Sequence, residues 1–406
     1  MDYTSNTQKK VDDVSFKEAI IDRKKPNAEI KNTSAEIEEI NPEIKKANND
    51  NASAKKPSSK KSDGVASSAK VRNSSFELLR IISMLMIIGH HLVVHGNFST
   101  ASTLNSWVLT ILEFGGKFGV IIFMLISSYF LINTKFTIRK LIKLMLQVWF
   151  YSIVLYVISI FLNGFEFSAK RLAYAVLPVV MVEYWFVTCY VFIFLLSPFL
   201  NKMLKSHSQS EHGWLIVIML FCYTVLRFAM NISSVFFMFI IIYMIGSYLR
   251  LYPIKELQKF SILIPSFLLL YFSLIILQHS FSYNFFEVDR LLMLLCAINF
   301  FMMFEKIKFH SKVVNIMASS TFGIYLLHDN INISPYLWNN IFHTNSFAFD
   351  NMLILYAFFV ISVIFIIGAA IELLRKNIIE KPLLKWIDKI IEKFKTHDGD
   401  TGSPEV

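Results

Sequence analysis

The chain has 406 residues and a net charge of +10, and 54% of its residues are hydrophobic while only 17% are charged. This charged fraction is well below the roughly 25% that is typical of soluble domains. Apolar runs of about 20 residues, long enough to cross a bilayer as helices, recur between Phe76 and Ile371. The three cysteines lie within these runs, so they provide neither a disulfide framework nor a zinc cluster with ligand spacing. The composition therefore predicts a multi-pass membrane protein.

We divide the chain into three parts. Residues 1–70 are polar and poor in aromatic residues, so they cannot offset chain entropy by burial and are predicted to be a disordered cytoplasmic tail. Residues 71–375 form the predicted transmembrane domain. Residues 376–406 begin with alternating apolar and basic positions, which predicts a basic amphipathic helix followed by a polar tail. This helix would either lie on the inner leaflet, where its lysines meet anionic lipid, or dock on the bundle.

The transmembrane domain contains ten candidate spans. Lys and Arg concentrate in alternate loops, whereas loops 97–105 and 332–349 carry neither. By the positive-inside rule both termini are cytoplasmic, and the fold class is an all-α, polytopic transmembrane helix bundle in the cell membrane. Pro178 and Glu183 indicate that the fourth span could begin as a re-entrant or interfacial piece. The spans are 76–96, 106–132, 141–163, 184–203, 213–232, 233–251, 259–279, 285–304, 313–331 and 350–373.

The first span holds most of the ionisable residues that a bilayer should not tolerate. It reads FELLRIISMLMIIGHHLVVHG, and each ionisable group at the centre of a membrane helix costs about 2.5–3.5 kcal/mol on insertion scales. At about 100° per residue, Arg80 and His91 share one face, about 16 Å apart along the axis, with Glu77 and His95 within about 60° of that stripe. His90 falls about 80° off the stripe. His91 is therefore the better candidate for joint work with Arg80.

A purely structural interpretation of the first span stays open. Arg80 and Glu77 are three residues apart, which is a favourable spacing for an ion pair on a helix. In that case Arg80 would extend toward the inner surface, and the histidines would cap the outer end of the span.

The second and ninth spans bring further titratable groups to a depth similar to that of His91. Glu113 could orient or polarise an imidazole, although a local ion pair with Lys117 is the alternative. In the ninth span, Thr321, Tyr325 and His328 fall on one face, with His328 near the outer end. His328 could equally be a satisfied histidine at the membrane interface. Three helices thus offer candidates for one site.

The chain resembles the integral-membrane acyltransferase-3 family across about 75–375. The opening FELLRIISMLMIIGHH is similar to the family's pattern of an acidic residue, two residues, an arginine, ten residues and a histidine, here Glu77, Arg80 and His91. Further similar blocks follow in order at 119–131, 140–143, 184–201 and 319–328.

Two of these blocks depart from the family's pattern. Ser128 stands where the family usually has glycine. Lys140 and Lys143 stand where it has an Arg-x-x-Arg pair, so the forked guanidinium contacts of that pair are replaced by point charges.

The resemblance implies transfer of an acyl group, usually acetyl from acetyl-CoA, to sugars of surface polysaccharides or lipid-linked glycans. Arg80, Lys140 and Lys143 would bind the phosphates of CoA from the cytoplasm. His91 would act as a general base on the acceptor hydroxyl or as a nucleophile that is acylated first, with Glu113 and His328 as the other candidate catalytic residues.

Tyr184 and Trp185 are the candidates for contact with the acceptor sugar. An aromatic belt at the membrane interface is the alternative interpretation of these two residues. No metal and no nucleic-acid partner are expected. The donor is predicted to be acyl-CoA and the acceptor a glycan or lipid-linked sugar.

The main alternative function is a polysaccharide translocator of related fold, in which the polar stripe lines a path and transfers no acyl group. A secondary transporter has less support, since neither an inverted repeat nor a Gly/Pro-broken pair of spans is evident. Among these functions an O-acetyltransferase of surface glycans is the prediction.

Overall fold

The computed structural model of the protein describes residues 73–98, 100–163, 167–230, 234–254 and 258–398. Within these ranges every regular element is a helix, as the composition predicts. The predicted disordered tail, 1–70, lies outside the described residues, and so do the last residues of the C-terminal tail, 399–406.

The helices are numbered in chain order. The longer ones carry the membrane-spanning candidates, and the shorter ones, α4, α10, α11 and α12, lie between them. They are α1 Ser75–His95, α2 Thr103–Leu131, α3 Ile138–Asn163, α4 Ala169–Val176, α5 Trp185–Ser206, α6 Gln209–Met230, α7 Val235–Leu251, α8 Phe260–Ser280, α9 Leu291–Lys306, α10 Lys312–Ala318, α11 Thr321–His328, α12 Ser334–Tyr336, α13 Leu353–Arg375 and α14 Lys381–Asp398.

In the described part of the chain, seven helical stretches are long and apolar enough to cross a membrane. They contain α1, α2, α3, α5, α6, α8 and α13. The other three predicted spans correspond to α7, with 17 residues, α9, with 16, and the broken pair α10 and α11. The full number of ten spans and the cytoplasmic position of both termini stay predictions.

The predicted ninth span is two helices rather than one. α10 ends at Ala318, and α11 begins at Thr321 after the serines Ser319 and Ser320. The hydroxyl of Ser319 donates to the carbonyl of Ile316, a local bond that competes with continuation of a helix. After the break, α11 packs against α1, α3 and α13.

Small residues set the close packing of α2 against α1. A Cβ atom at Gly115 would overlap the carbonyl of Met86, and one at Gly116 would overlap the ring of His90. Small residues allow this close approach of helices where no hydrophobic force drives association. The first histidine of the pair is thereby held against α2.

The segment before α5 is not a continuous helix. The short helix α4 ends at Val176, and turns cover the chain as far as Tyr184, which caps the N-terminus of α5. Val182 in this segment has φ of 55°, a left-handed conformation that is strained for a β-branched residue. An irregular piece in front of the fourth span agrees with the expectation from Pro178 and Glu183.

The predicted C-terminal amphipathic helix is α14, which follows α13 after a single π-helical turn. Asp388 of α14 accepts two hydrogen bonds from the guanidinium of Arg139 on α3, at 2.7 and 2.8 Å. This contact agrees with docking on the bundle, one of the two arrangements left open for the helix.

Candidate functional site

The centre of the candidate site is a chain of hydrogen bonds that joins α11 to α1. Nδ1 of His328 lies 2.6 Å from the carbonyl oxygen of Ile324. Nε2 of the same imidazole lies 2.9 Å from Nδ1 of His91. We call these three residues the histidine chain. It joins two of the three catalytic candidates selected from the sequence.

The histidine chain fixes the tautomer of both rings in their neutral form. A carbonyl oxygen only accepts hydrogen bonds, so Nδ1 of His328 must carry the proton and donate to Ile324. Nε2 of His328 then accepts, and Nδ1 of His91 donates to it. Nε2 of His91 is left with a free lone pair, which is the form that a general base or a metal ligand requires.

An aspartate directly after α11 faces this lone pair. Oδ1 of Asp329 lies 3.4 Å from Nε2 of His91 and 3.4 Å from Nε2 of His95. The side chains of His91, Asp329 and His95 are 13%, 15% and 35% exposed, so the cluster is reachable from outside the helix packing. Because the three ligand atoms lie within 4.8 Å of one another, they could also hold a metal ion.

The two adjacent histidines have separate partners, which confirms the prediction that they face different ways. Nδ1 of His90 lies 2.8 Å from the backbone carbonyl of Glu113 on α2. The contact of Glu113 with a histidine is thus through its backbone, and it goes to His90. Lys117, the alternative partner of Glu113, instead places its ammonium 4.4 Å from the ring centre of Trp185.

Tyr184 is enclosed and ties the start of α5 to the end of α11. Its hydroxyl donates to the carbonyl of Leu326 at 3.0 Å and accepts from the amide of Asn330 at 2.6 Å. The residue is 1% exposed. Its neighbour Trp185 is partly exposed and lies under Lys117, so of the two aromatic candidates Trp185 is the accessible one.

Asn330 also connects this region to the segment before α5. Its amide donates to Oε1 of Glu183 at 3.1 Å, and the other carboxylate oxygen of Glu183 accepts from the hydroxyl of Ser152 on α3. Asp329 is therefore followed by a residue that is fixed on two sides. This bracing limits the movement of the end of α11.

Arg80 lies near the opposite end of α1 and pairs with Glu77, as the structural interpretation of the first span proposed. Its Nη1 is 2.6 Å from Oε1 of Glu77, and its guanidinium lies 5.9 Å from the ring centre of Phe130. The side chain of Arg80 remains 22% exposed. The pair uses one guanidinium nitrogen, so pairing with Glu77 and binding of an anion are compatible.

The face of α1 between Arg80 and His91 is apolar. Met84 and Ile87 lie on it at four and seven residues after Arg80. They line a narrow cavity of about 20 Å³ together with side chains of α2, α5 and α11, namely Val120, Phe123, Phe186, Phe322 and Tyr325. The stripe that the sequence predicted therefore has a small apolar void beside its middle.

The two lysine candidates lie on α3, and their partners differ from that of Arg80. Nζ of Lys143 is 2.9 Å from Oε1 of Glu380, while Nζ of Lys140 donates to the carbonyl of Lys135 at 3.1 Å. Both lysine side chains are exposed. The structure thus places Lys143 at the edge of an ion-pair network that sequence analysis did not predict.

That network is buried between α3 and α13. Arg375 donates two hydrogen bonds to Glu372, at 2.8 and 2.9 Å, and a further one to Glu380. Gln147 and Tyr151 donate to the two carboxylate oxygens of Glu372 at 3.0 and 2.7 Å. We call this set, with Lys143, the α13 network.

Asp329, His95 and the members of the α13 network other than Lys143 were not selected as site residues from the sequence. The available signal for Asp329 was its position directly after His328 at the end of an apolar helix. His95 was already within about 60° of the stripe. For Glu372 and Arg375 the available signal was their favourable i,i+3 spacing, but the two α3 partners of Glu372, Gln147 and Tyr151, lie more than 200 positions away along the chain.

The comparison with known families gives one match. The model of the acyltransferase-3 family, described as an acyltransferase domain, matches residues 73–379. No curated protein and no solved structure is matched by the chain. Because the family match covers most of the chain, including both ends of the α1 stripe, the protein belongs to the acyltransferase-3 family and is an acyltransferase.

Proposed function

We propose that the protein transfers an acetyl group from acetyl-CoA to a hydroxyl of a surface polysaccharide or lipid-linked glycan. Family membership supports acyl transfer in general. The observation that carries the proposal is the histidine chain, which leaves Nε2 of His91 unprotonated beside Asp329. A fixed imidazole with a free lone pair is what an acceptor hydroxyl needs in order to lose its proton.

In the proposed reaction, Nε2 of His91 takes the proton of the acceptor hydroxyl while that oxygen attacks the carbonyl carbon of the thioester. The carbon–sulfur bond breaks, and the proton passes from His91 to the departing sulfur of CoA. The products are the acetyl ester and free CoA thiol. Asp329, 3.4 Å from Nε2, stabilises the positive charge that the imidazole carries between these two transfers.

His328 is a positioning residue in this reaction. Its Nε2 accepts a hydrogen bond from Nδ1 of His91, and its own Nδ1 donates to the carbonyl of Ile324. The arrangement is comparable to a catalytic triad in its logic, because a second group sets the tautomer and orientation of the base. Here the orienting group is a neutral, fully buried imidazole.

The donor would bind along the same helix face. We place the phosphates of CoA at Arg80 on the cytoplasmic side, with Lys140 and Lys143 adding positive charge near the surface. Arg80 and His91 are about 16 Å apart along the helix axis. The apolar face between them would carry the pantetheine arm only after the surrounding side chains move apart, because the cavity beside it, about 20 Å³, has room for about one water.

The acceptor would approach from the opposite side of the membrane. The exposure of His91, His95 and Asp329 supports access to the base from that side. Trp185, partly exposed under Lys117, is the proposed aromatic contact for a sugar ring. The protein would then be a multi-pass protein of the cell membrane with both termini in the cytoplasm.

The test is chemical analysis of surface glycans for O-acetyl groups in cells that carry the protein, lack it, or carry His91→Ala. We expect O-acetyl groups only with the parent protein, while the amount of glycan at the surface stays the same. Western blotting of membranes controls for protein level. Loss of the glycan itself, without a change in its acetyl content, would contradict acyl transfer and indicate the translocator.

A further inference from the structure

At the end of α1, His95, which the proposed reaction does not use, lies beside Asp329, the partner of His91 in that reaction. His91 and His95 are four residues apart on α1 and therefore lie on the same side of the helix. Asp329 approaches them from the end of α11, with a single oxygen at 3.4 Å from Nε2 of each ring. The three ligand atoms lie within 4.8 Å of one another.

Two of the three separations among these atoms match a tetrahedral metal site. Zinc binds imidazole nitrogen at about 2.0–2.1 Å and carboxylate oxygen at about 2.0–2.2 Å, so neighbouring ligand atoms of a tetrahedron lie about 3.4 Å apart. The two nitrogen–oxygen distances of 3.4 Å have this value, and the two imidazole nitrogens lie within 4.8 Å of each other. Ligands at 90° around an octahedral ion would be closer, at about 3.0 Å for the same bond lengths.

The surroundings of His91 also suit a metal ligand. Its Nδ1 donates to His328, and this bond leaves Nε2 unprotonated and 3.4 Å from Oδ1 of Asp329. Histidines that bind metals usually donate their second ring nitrogen in this way, which fixes the ring and makes it more basic. Nitrogen and carboxylate ligands together favour zinc over magnesium or calcium, which prefer oxygen.

We propose that His91, His95 and Asp329 bind one Zn²⁺ ion and that the bound ion blocks acyl transfer. Bound zinc would inhibit acyl transfer because it occupies the lone pair of His91 that must take the proton of the acceptor. The inhibition therefore rests on the proposed function. Binding itself does not rest on it. Three protein ligands leave a fourth position for water, and the exposure of His95 at 35% gives the ion a way in.

Binding is tested on the full-length protein, purified in detergent without a histidine tag and freed of metal with EDTA that is then removed. Zinc is titrated in competition with a chromogenic chelator. We expect one tightly bound ion in the parent protein. His95→Ala and Asp329→Asn should weaken binding at least about tenfold, since even loss of a group behind a ligand costs 10–100-fold.

The matched control is His207→Ala, which removes a partly exposed histidine between α5 and α6. It should bind zinc as tightly as the parent protein. The proposal is overturned if His95→Ala and the parent bind zinc equally, or if His207→Ala is weakened as much as His95→Ala. The folded state of each variant is checked by size-exclusion chromatography.

Blocking is tested with membranes that contain the protein and radiolabelled acetyl-CoA, by counting label in the glycan fraction with zinc and with zinc plus EDTA. Zinc should abolish incorporation by the parent, and EDTA should restore it. His95→Ala should keep its own zinc-free rate at the same zinc concentration. Full activity of zinc-saturated parent protein would overturn the blocking half and the assignment of His91 as the base. Binding without any transfer, in either condition, would overturn the proposed function and leave the zinc site standing.

Discussion

Two polar clusters touch α11 and differ in how completely their groups are paired. Near the end of the helix, the histidine chain leaves Nε2 of His91 with a lone pair, beside side chains that are 13–35% exposed. About one and a half turns earlier, Gly323 packs against Glu372, whose two carboxylate oxygens accept hydrogen bonds from α3 and α13. Glu372 is completely buried.

The difference separates a cluster that can react from one that stabilises the fold. In the α13 network every charge is opposed by another, and Arg375 has a side chain that is only 2% exposed. A buried, saturated ion pair has no free group for a substrate, but removing one partner leaves an uncompensated charge. In the histidine chain, Nε2 of His91 is the ring nitrogen that neither donates nor accepts a hydrogen bond within the chain, and it is the atom that the proposed reaction needs. Variants of the two clusters should therefore fail in different ways.

The largest effect is expected for Arg375→Ala. The change removes the cation that joins the buried carboxylates Glu372 and Glu380 and leaves them the more exposed Lys376 and Lys143, which should destabilise the protein by up to about 3–5 kcal/mol. The expected result is a large drop in the thermal transition of the detergent-purified protein, or loss of monodisperse protein. Arg375→Lys keeps the charge and loses the fork, so its effect should be smaller. An unchanged thermal transition for Arg375→Ala would mean that the network contributes nothing to stability.

The second prediction concerns His328→Ala in the histidine chain. Without His328, Nδ1 of His91 loses its acceptor, and the tautomer with a free Nε2 is no longer fixed. We expect kcat to fall by about 100-fold or more, in line with the cost of losing general-base function. The KM for acetyl-CoA should change little, since the proposed phosphate contact at Arg80 is about 16 Å away.

The control for this variant is His328→Gln, whose amide oxygen can accept from His91. It should recover part of kcat, which a merely structural role for His328 would not explain. If kcat falls only in proportion to the amount of folded protein, His328 stabilises the bundle and does not position the base.

Sequence patterns predicted the parts of this comparison that depend on one helix. The helical period placed Arg80 and His91 on one face and His90 on another, and the contacts of the two histidines confirm their separation. The apolar runs predicted an all-helical fold, and the helices of the described residues confirm it. These features are local, so the spacing of residues within one helix determines them.

The parts that depend on contacts between helices were not predictable in the same way. The carboxylate of Glu113 was expected near His91, but it is the backbone carbonyl of Glu113 that contacts a histidine, and that histidine is His90. The reason is the close packing at Gly116, which depends on the rotation of α2 against α1. Asp329 was missed because its partners, His91 and His95, lie on α1, and the contact depends on how the end of α11 packs against that helix.

The third prediction tests a pair that is intermediate between the two clusters. Arg80 is bound to Glu77, yet it stays 22% exposed and has guanidinium nitrogens beyond the one in the pair. Arg80→Lys keeps the ion pair and loses the planar fork, so we expect a KM for acetyl-CoA raised by about tenfold and a smaller change in kcat. Steady-state kinetics at fixed ionic strength measure both.

The matched control for Arg80→Lys is Arg139→Lys. Arg139 also makes a forked contact with an acid, Asp388, but its side chain is 52% exposed and lies on α3. Its KM for acetyl-CoA should equal that of the parent. Equal rises in both variants would reflect a general loss of positive charge and would contradict a donor site at Arg80.

The smallest effect is expected for His90→Ala, the neighbour of the base. Nδ1 of His90 is already hydrogen-bonded to the carbonyl of Glu113, and the ring packs closely against Gly116. It thus resembles the α13 network in being paired, although it is adjacent to His91. Its removal should lower stability by about 1–3 kcal/mol, through the lost hydrogen bond and the space left behind.

Acyl transfer per folded molecule should stay within about threefold of the parent, a difference of about 0.65 kcal/mol in the barrier. Label incorporation from acetyl-CoA, divided by the amount of monodisperse protein, measures this. A loss as large as that of His91→Ala would show that the base was assigned to the wrong histidine, and that pairing does not separate reactive from structural groups on this helix.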